Sequence, residues 1–377
     1  MRHRLKYGFG PARWGGRDYK RGDRSERTNY TGGRRINQPK DEKFAGLKEK
    51  YRARRKRLLS VAAAAVAVFA RVSAPGISYA LPVCASSISN CCKIVTAGAY
   101  TIPSSFTATI TSGACIDIQV GNVSLANPNA NVTGPGSTSD TIGVMVESTA
   151  NKVLLSGCFL FCTGGDYEGF GTGVEVQGRS DQVEFVGGDS NGTGMRFTGP
   201  SPFVVGGAST NDGNGIVLAS TATAPFLNVD VENNGQTGLK LNGVVGGSLS
   251  ATASSNGQYG IWLNGASNNI ALTGLTANFN VIAGVYLGCH STGPSAAACP
   301  AGTAPTNQNS VFSSGSTTSE ANSQKYGIAI DVGNVLNRVV SVSAASNTIE
   351  DLNDGNPNCA NNVWFFDSGT KTSSCIP

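Results

Sequence analysis

GMRF at 194–197, GIVL at 215–218, GLKL at 238–241, GIWL at 260–263 and GVYL at 284–287 each open on a glycine, at intervals of 21, 23, 22 and 24 residues. A fixed period in this range marks a solenoid, in which each unit buries its apolar face only against its neighbours. The pattern continues in GVMV at 143–146, GVEV at 173–176 and GIAI at 327–330. The residues one and three places after each glycine are apolar throughout. The residue between them is free: Met145, Glu175, Arg196, Val217, Lys240, Trp262, Tyr286 and Ala329. In–out–in alternation predicts a strand with one buried face. The free residues should then stack as a column up the outside, about 4.8 Å per coil.

Four places before the glycine stand Ser190, Asn211, Asn234, Asn256 and Asn280. Asparagine tolerates the left-handed conformation and bonds to neighbouring backbone, so in register these residues predict a side-chain amide ladder. Asn-Gly at 242–243 and 264–265 and Gly-Gly at 246–247 mark turns. A second strand follows in each unit, as in FLNVDV at 226–231 and IALTGL at 270–275. A leucine-rich repeat would need a fixed leucine scaffold and usually a helical return arm. Here the return arm is Gly, Ser, Thr and Val without helical period, and three short strands per coil fit better.

On these repeats, residues 98–355 resemble the right-handed parallel β-helix repeat family, the pectate-lyase-like superfamily. The resemblance implies an all-β, right-handed parallel β-helix of about 21–24 residues per coil. Residues 98–136 are similar to the opening coils of that family, and residues 358–375, with Asn358, Cys359, Trp364 and Cys375, to its tail. The expected organisation is a basic leader over 1–80, a β-helix over 81–355 including its N-terminal cap, and a disulfide-linked C-terminal cap over 356–377. Two intervals depart from the period: 30 residues between Gly143 and Gly173, and 43 between Gly284 and Gly327. The second amounts to about two coils, with 289–308 as a disulfide-pinned excursion.

The net charge of +5 conceals two unlike pieces. Residues 1–80 hold 21 of the 29 Lys and Arg, whereas the remainder has 8 basic and 18 acidic residues, a net of −10. Basic charge confined to the leader argues against nucleic-acid binding by the folded part. Within the leader, a basic cluster at 52–57, an apolar run at 58–70 and Ser78-Tyr79-Ala80 describe a secretory signal peptide. The run is too short for a stable membrane span. Either translation starts downstream, near Leu47 or later, or the signal has an extended n-region. All ten cysteines lie beyond residue 80, which reads as a disulfide set made in an oxidising space, secreted, periplasmic or at the cell surface. Proximity favours Cys158–Cys162, Cys289–Cys299 and Cys359–Cys375, leaving four near the N-terminus to pair among themselves. No Cys-x-x-Cys and only one histidine beyond the leader, His290, argue against zinc.

Enzymes of the superfamily act on acidic polysaccharides, and their motifs are absent: no Asp-Asp pair, no Gly-His-Gly, and no Arg-x-Lys beyond residue 80. Eight cations are a thin supply for gripping a polyanion. No catalytic set, metal site or cofactor is indicated. The candidate binding surface is the free column, with Trp262 and Tyr286 stacking on sugar rings and Glu175, Arg196 and Lys240 supplying hydrogen bonds. The reading is an exported, non-catalytic scaffold that binds a polysaccharide or a cell-surface protein. The alternative is a polysaccharide lyase or glycoside hydrolase acting on acidic polysaccharide through an atypical site.

Overall fold

The computed structural model describes residues 81–157, 165–295, 299, 306, 309–312, 316–318, 324–359, 361–365, 367–371 and 375–377. The leader over 1–80, Cys158 and Cys162 lie outside the described residues. Two parallel sheets of eleven strands each run the length of the unit, every strand but the first and last of each sheet pairing with those of the coils before and after it. The first sheet begins at Cys92–Ile94 and ends at Glu350–Asp354, and the second begins at Gly98–Thr101 and ends at Val363–Phe365. Among the described residues, the short strands Phe106–Thr107, Val132–Thr133 and Tyr167–Glu168 form a third side near the N-terminal end, and Ser316–Thr318 pairs with Ser343–Ala345 near the other. The chain is thus an all-β parallel β-solenoid. Among the described residues there is no α-helix, and no helix is long and apolar enough to cross a membrane.

The glycine tetrads all fall on the first sheet, in the register that the alignment on glycine predicts. Val174 pairs with Met195, Met195 with Ile216, Ile216 with Leu239, Leu239 with Ile261 and Ile261 with Val285. These side chains are buried in one continuous core together with those of the second sheet, such as Val204, Leu227, Leu249 and Leu272. Parallel strands that meet the same apolar column from both neighbours have little freedom to slip, because a one-residue shift would turn the whole core outward. The interval of 43 residues is not two coils but one, for Ala283–Leu287 pairs directly with Tyr326–Ile330. The described start of the extra length, residues 288–295, leaves the coil after Leu287 and lies on the outside of the first sheet. Thr172–Val176 likewise pairs directly with Thr141–Val146, so the interval of 30 is also a single coil.

The asparagine ladder runs inside the solenoid. Asn211 Nδ2 donates to Asn234 Oδ1 at 2.9 Å, Asn234 to Asn256 at 3.0 Å, Asn256 to Asn280 at 2.9 Å, and Asn280 to Gln324 Oε1 at 3.2 Å. Each side-chain oxygen also accepts the backbone N–H of the preceding ladder residue. The column begins at Asn191 rather than Ser190 and closes on the carboxylate of Asp351, which accepts from Asn347 Nδ2 at 2.6 Å. The left-handed conformation belongs to the residue before each rung: Ser190, Thr210, Asn233, Ser255 and Phe279. The rung itself is chosen for its amide, a donor and an acceptor on one short side chain. The ladder also explains the tetrad glycine. A Cβ on Gly238 would stand 2.8 Å from both Asn256 Nδ2 and the Gly260 carbonyl oxygen, and one on Gly260 2.6 Å from the Gly284 oxygen. Rung and glycine therefore recur together. At Gly243 and Gly265 the requirement is conformational, with φ of 67° and 62°.

Four disulfides are formed among the described residues. Cys84–Cys92 and Cys91–Cys115 close the N-terminal end, Cys289–Cys299 pins the excursion, and Cys359–Cys375 ties the tail. In the tail, Trp364 is buried and its indole N–H donates to Asp354 at 3.0 Å, whereas Phe365 points outward.

Candidate binding face

The free residues of the tetrads do stack. In sequence, Asp117, Met145, Glu175, Arg196 and Val217 pair across successive strands, followed by Lys240, Trp262, Tyr286 and Ala329. The outer face of the first sheet is thereby divided into two unlike halves.

In the C-terminal half the column is covered. Trp262 is 4% exposed and Tyr286 0%, because residues 288–295 fold back across them. Trp262 Nε1 donates to the Gly288 carbonyl at 2.8 Å, and the Tyr259 hydroxyl to the His290 carbonyl at 2.8 Å. Tyr286 donates its hydroxyl hydrogen to Asp331 and accepts the His290 N–H at 3.2 Å. Tyr259 and Tyr286 stack with ring centroids 4.7 Å apart. Together with Ile282, Ala283 and Ala329 they make a second apolar cluster outside the solenoid core. Burial drives the Tyr286 phenol far above its ordinary range, reinforced by Asp331. Trp262 and Tyr286 therefore do not present open faces to a sugar ring. Lys240 is engaged as well: its Nζ lies 4.3 Å from the Trp262 ring centroid, a cation–π contact, and burial lowers its pKa.

In the N-terminal half the face is open. Arg196 is exposed, and Glu175, 9% exposed, accepts from Gln177 Nε2 at 2.9 Å. Glu175 lies at the side of a groove of about 480 Å³ whose other walls carry Ser137, Thr138, Ser139, Thr172 and Thr193. Asp140 stands at its rim. Behind Glu175 the carboxyls of Asp117 and Glu147 interact. Glu147 is held above the usual carboxylate range by burial and by the charges of Asp117 and Glu175. This half thus combines hydroxyls, carboxylates and one free-standing guanidinium, a set that exchanges hydrogen bonds with polyols and repels polyanions.

The acids of the following coils accept hydrogen bonds from within the protein. Asp189 accepts the Ser209 N–H at 2.6 Å, and its pKa is raised to about 6 by burial and by the neighbouring charges of Asp166 and Glu168. Asp212 accepts the Ser137 hydroxyl. Among the described residues, one group of three metal-ligand atoms lies within 4.8 Å of one another: Cys289, His290 and Asp331. Its sulfur is bound in the Cys289–Cys299 disulfide.

No protein-family model and no curated protein matches the sequence. Among solved structures, the Dettilon tailspike protein superposes with a TM-score of 0.49 at 12% identity. The superposition covers 71% of this chain and 60% of the tailspike's. It is a likeness of fold.

Two parts of this surface were not foreseen from the sequence. The groove needs residues 137–141 to lie beside 171–175 and 192–193, an adjacency set by a coil-to-coil turn of irregular length. Asp331 directly follows the strand Tyr326–Ile330, 41 residues after His290, and the folded-back excursion brings the two together, at 2.7 Å between Nδ1 and the carboxylate. The signal that was present is a lone histidine directly after a cysteine whose partner lies ten residues on.

Proposed function

We propose that the protein is an exported, non-catalytic β-helix scaffold of the pectate-lyase-like kind that binds an uncharged, hydroxyl-rich glycan. The observation that supports this reading is the hydroxyl-lined groove beside Glu175 and Arg196. Residues 81–377 carry a net −10, and Asp117, Asp140, Glu147 and Glu175 gather on the open half, so a neutral chain suits the face better than an acidic one. Four disulfides and the signal-like leader accord with an oxidising compartment outside the cytoplasm.

The test is a panel of neutral and uronic-acid glycans offered to the purified protein, with binding and product release read on the same samples. Binding to a neutral glycan is expected, without release. A hydrogen bond to a charged group contributes about 1.5–3 kcal/mol, so Glu175→Ala should weaken binding roughly tenfold or more. Asn353→Ala, far along the same column, should leave it unchanged. Binding confined to uronic-acid polymers, or indifferent to Glu175→Ala, refutes the reading. A second reading is glycoside hydrolysis, for which Glu147, held above the usual carboxylate range by burial and by the charges of Asp117 and Glu175, is the candidate acid. It requires product release that Glu147→Gln abolishes.

A further inference from the structure

The excursion over the aromatic cluster is held by more than its disulfide. Cys289 Sγ lies 3.4 Å from His290 Nδ1 and 3.9 Å from Asp331 Oδ2, and those two atoms are 2.7 Å apart. Asp331 is fully buried, while the imidazole keeps some exposure. Asp331 is fixed from several sides, by the Tyr286 hydroxyl and by the N–H groups of Cys289 and of Ser295, the last at 2.8 Å. Cys299 Sγ completes the group, bonded to Cys289 Sγ.

We propose that this group is a zinc site alternating with the disulfide: when Cys289–Cys299 is reduced, the two thiolates, His290 Nδ1 and Asp331 bind one Zn²⁺. Zinc takes four ligands tetrahedrally, at about 2.3 Å to sulfur and 2.0–2.2 Å to nitrogen and oxygen. Neighbouring ligand atoms of such a tetrahedron stand roughly 3.2–3.8 Å apart by those bond lengths. Two of the three separations among Cys289, His290 and Asp331 are already near that range, and the His290–Asp331 separation has to widen by about half an ångström on the same geometry. The step balances. A phosphine or dithiol gives two electrons to the S–S bond and is itself oxidised, the sulfurs take up two protons, and zinc binding releases both to solvent. Each form closes the same loop over Trp262 and Tyr286, one covalently and the other by coordination, so the cover is retained in reducing and oxidising surroundings alike.

Cys299→Ser, made without any reductant, leaves Cys289 as a thiol and spares the remaining disulfides. This full-length variant should bind one equivalent of Co²⁺, showing thiolate-to-cobalt charge transfer and the visible bands of a tetrahedral ion, and Zn²⁺ should displace it. Oxidised wild type should bind none there. Adding His290→Ala or Asp331→Asn to the variant should weaken binding at least about tenfold, since altering even a group behind a ligand costs that much. In the reduced wild type, Cys289→Ser with Cys299→Ser should remove one cobalt equivalent. Cobalt uptake by Cys299→Ser that is absent, or that is unchanged by both His290→Ala and Asp331→Asn, overturns the assignment. So does an equal cobalt stoichiometry in the reduced wild type and the double serine variant.

Discussion

Replacing Asn256 by alanine removes a rung of the interior ladder whose amide makes four hydrogen bonds. Its side-chain oxygen accepts the Asn234 backbone N–H at 3.1 Å and the Asn234 Nδ2 at 3.0 Å. Its Nδ2 donates to the Val231 carbonyl at 3.0 Å and to Asn280 Oδ1 at 2.9 Å. Asn280 Oδ1 keeps a second donor in the backbone N–H of residue 256. Three buried groups then lose a partner: the Asn234 N–H, one hydrogen of its amide, and the Val231 carbonyl. Each stranded group costs about 1–3 kcal/mol, so the three together should cost about 3–9 kcal/mol, a large share of the stability of an ordinary domain. Asn214→Ala, at a partly exposed amide pair with Gln236, should cost under about 1 kcal/mol on the same scale. Urea unfolding followed by circular dichroism and tryptophan fluorescence measures both. Asn256→Asp adds a pH test. A carboxyl facing two acceptors is favoured in its protonated form, so its folded pKa lies above the unfolded value. Its penalty should then be small at pH 4 and grow as the pH rises through that folded pKa. A loss below about 1 kcal/mol for Asn256→Ala, or equal losses for Asn256 and Asn214, would refute the ladder as a source of stability.

Burial raises Asp181 to about 6 from 3.8, so ionising it opposes folding, with no penalty below the unfolded value and the full penalty above pH 6. Asp181→Asn should raise the urea midpoint at pH 8, by at most about 3 kcal/mol in stability, and leave it unchanged at pH 4. Tyr286→Ala should lower stability by about 3–5 kcal/mol, as for other buried aromatics, which thermal denaturation will show; an unshifted curve would mean that the excursion leaves the ring open. Leu241→Asp places a carboxylate in the core and should abolish folding. Val217→Asp, one coil earlier on the outer column and flanked there by Arg196 and Lys240, should be nearly neutral, and a comparison of soluble yield and circular dichroism decides it.

The fold was legible because a solenoid repeats its constraints. Glycine, apolar, free, apolar recurs in every coil, and each recurrence testifies to the same strand, register and core. The ladder was legible for the same reason, although Asn191 and Gln324 stand three places before their glycines rather than four, and so escaped an alignment with fixed spacing. The candidate face was legible only in part. Residue alternation says which side chains leave the core, and the stacking of Glu175, Arg196 and Lys240 follows from it. It is silent on what is later laid over them. Trp262 and Tyr286 are outward by alternation yet buried, because an insertion that belongs to no coil supplies backbone partners for their polar atoms. Large aromatics at consecutive outward positions are costly to leave in water, so such a pair signals a cover as readily as a ligand platform.

Three of the rungs, Asn191, Asn234 and Asn256, are each followed by a glycine, the pairing in which asparagine deamidates fastest once the chain is free to close a five-membered imide. Closure needs the next backbone nitrogen to attack the side-chain amide. In the folded column those nitrogens are committed: Gly192 donates to the Phe170 carbonyl at 2.9 Å, Gly235 to Asn211 at 2.7 Å and Gly257 to Asn234 at 2.8 Å. The folded solenoid thus protects its own ladder, and each visit to the unfolded state exposes these three rungs among the chain's Asn-Gly pairs. A rung converted to aspartate cannot donate where its neighbours accept, so damage taken while unfolded hinders refolding. Wear of the ladder then depends on how often the molecule opens, and each converted rung leaves a permanent record of one mass unit.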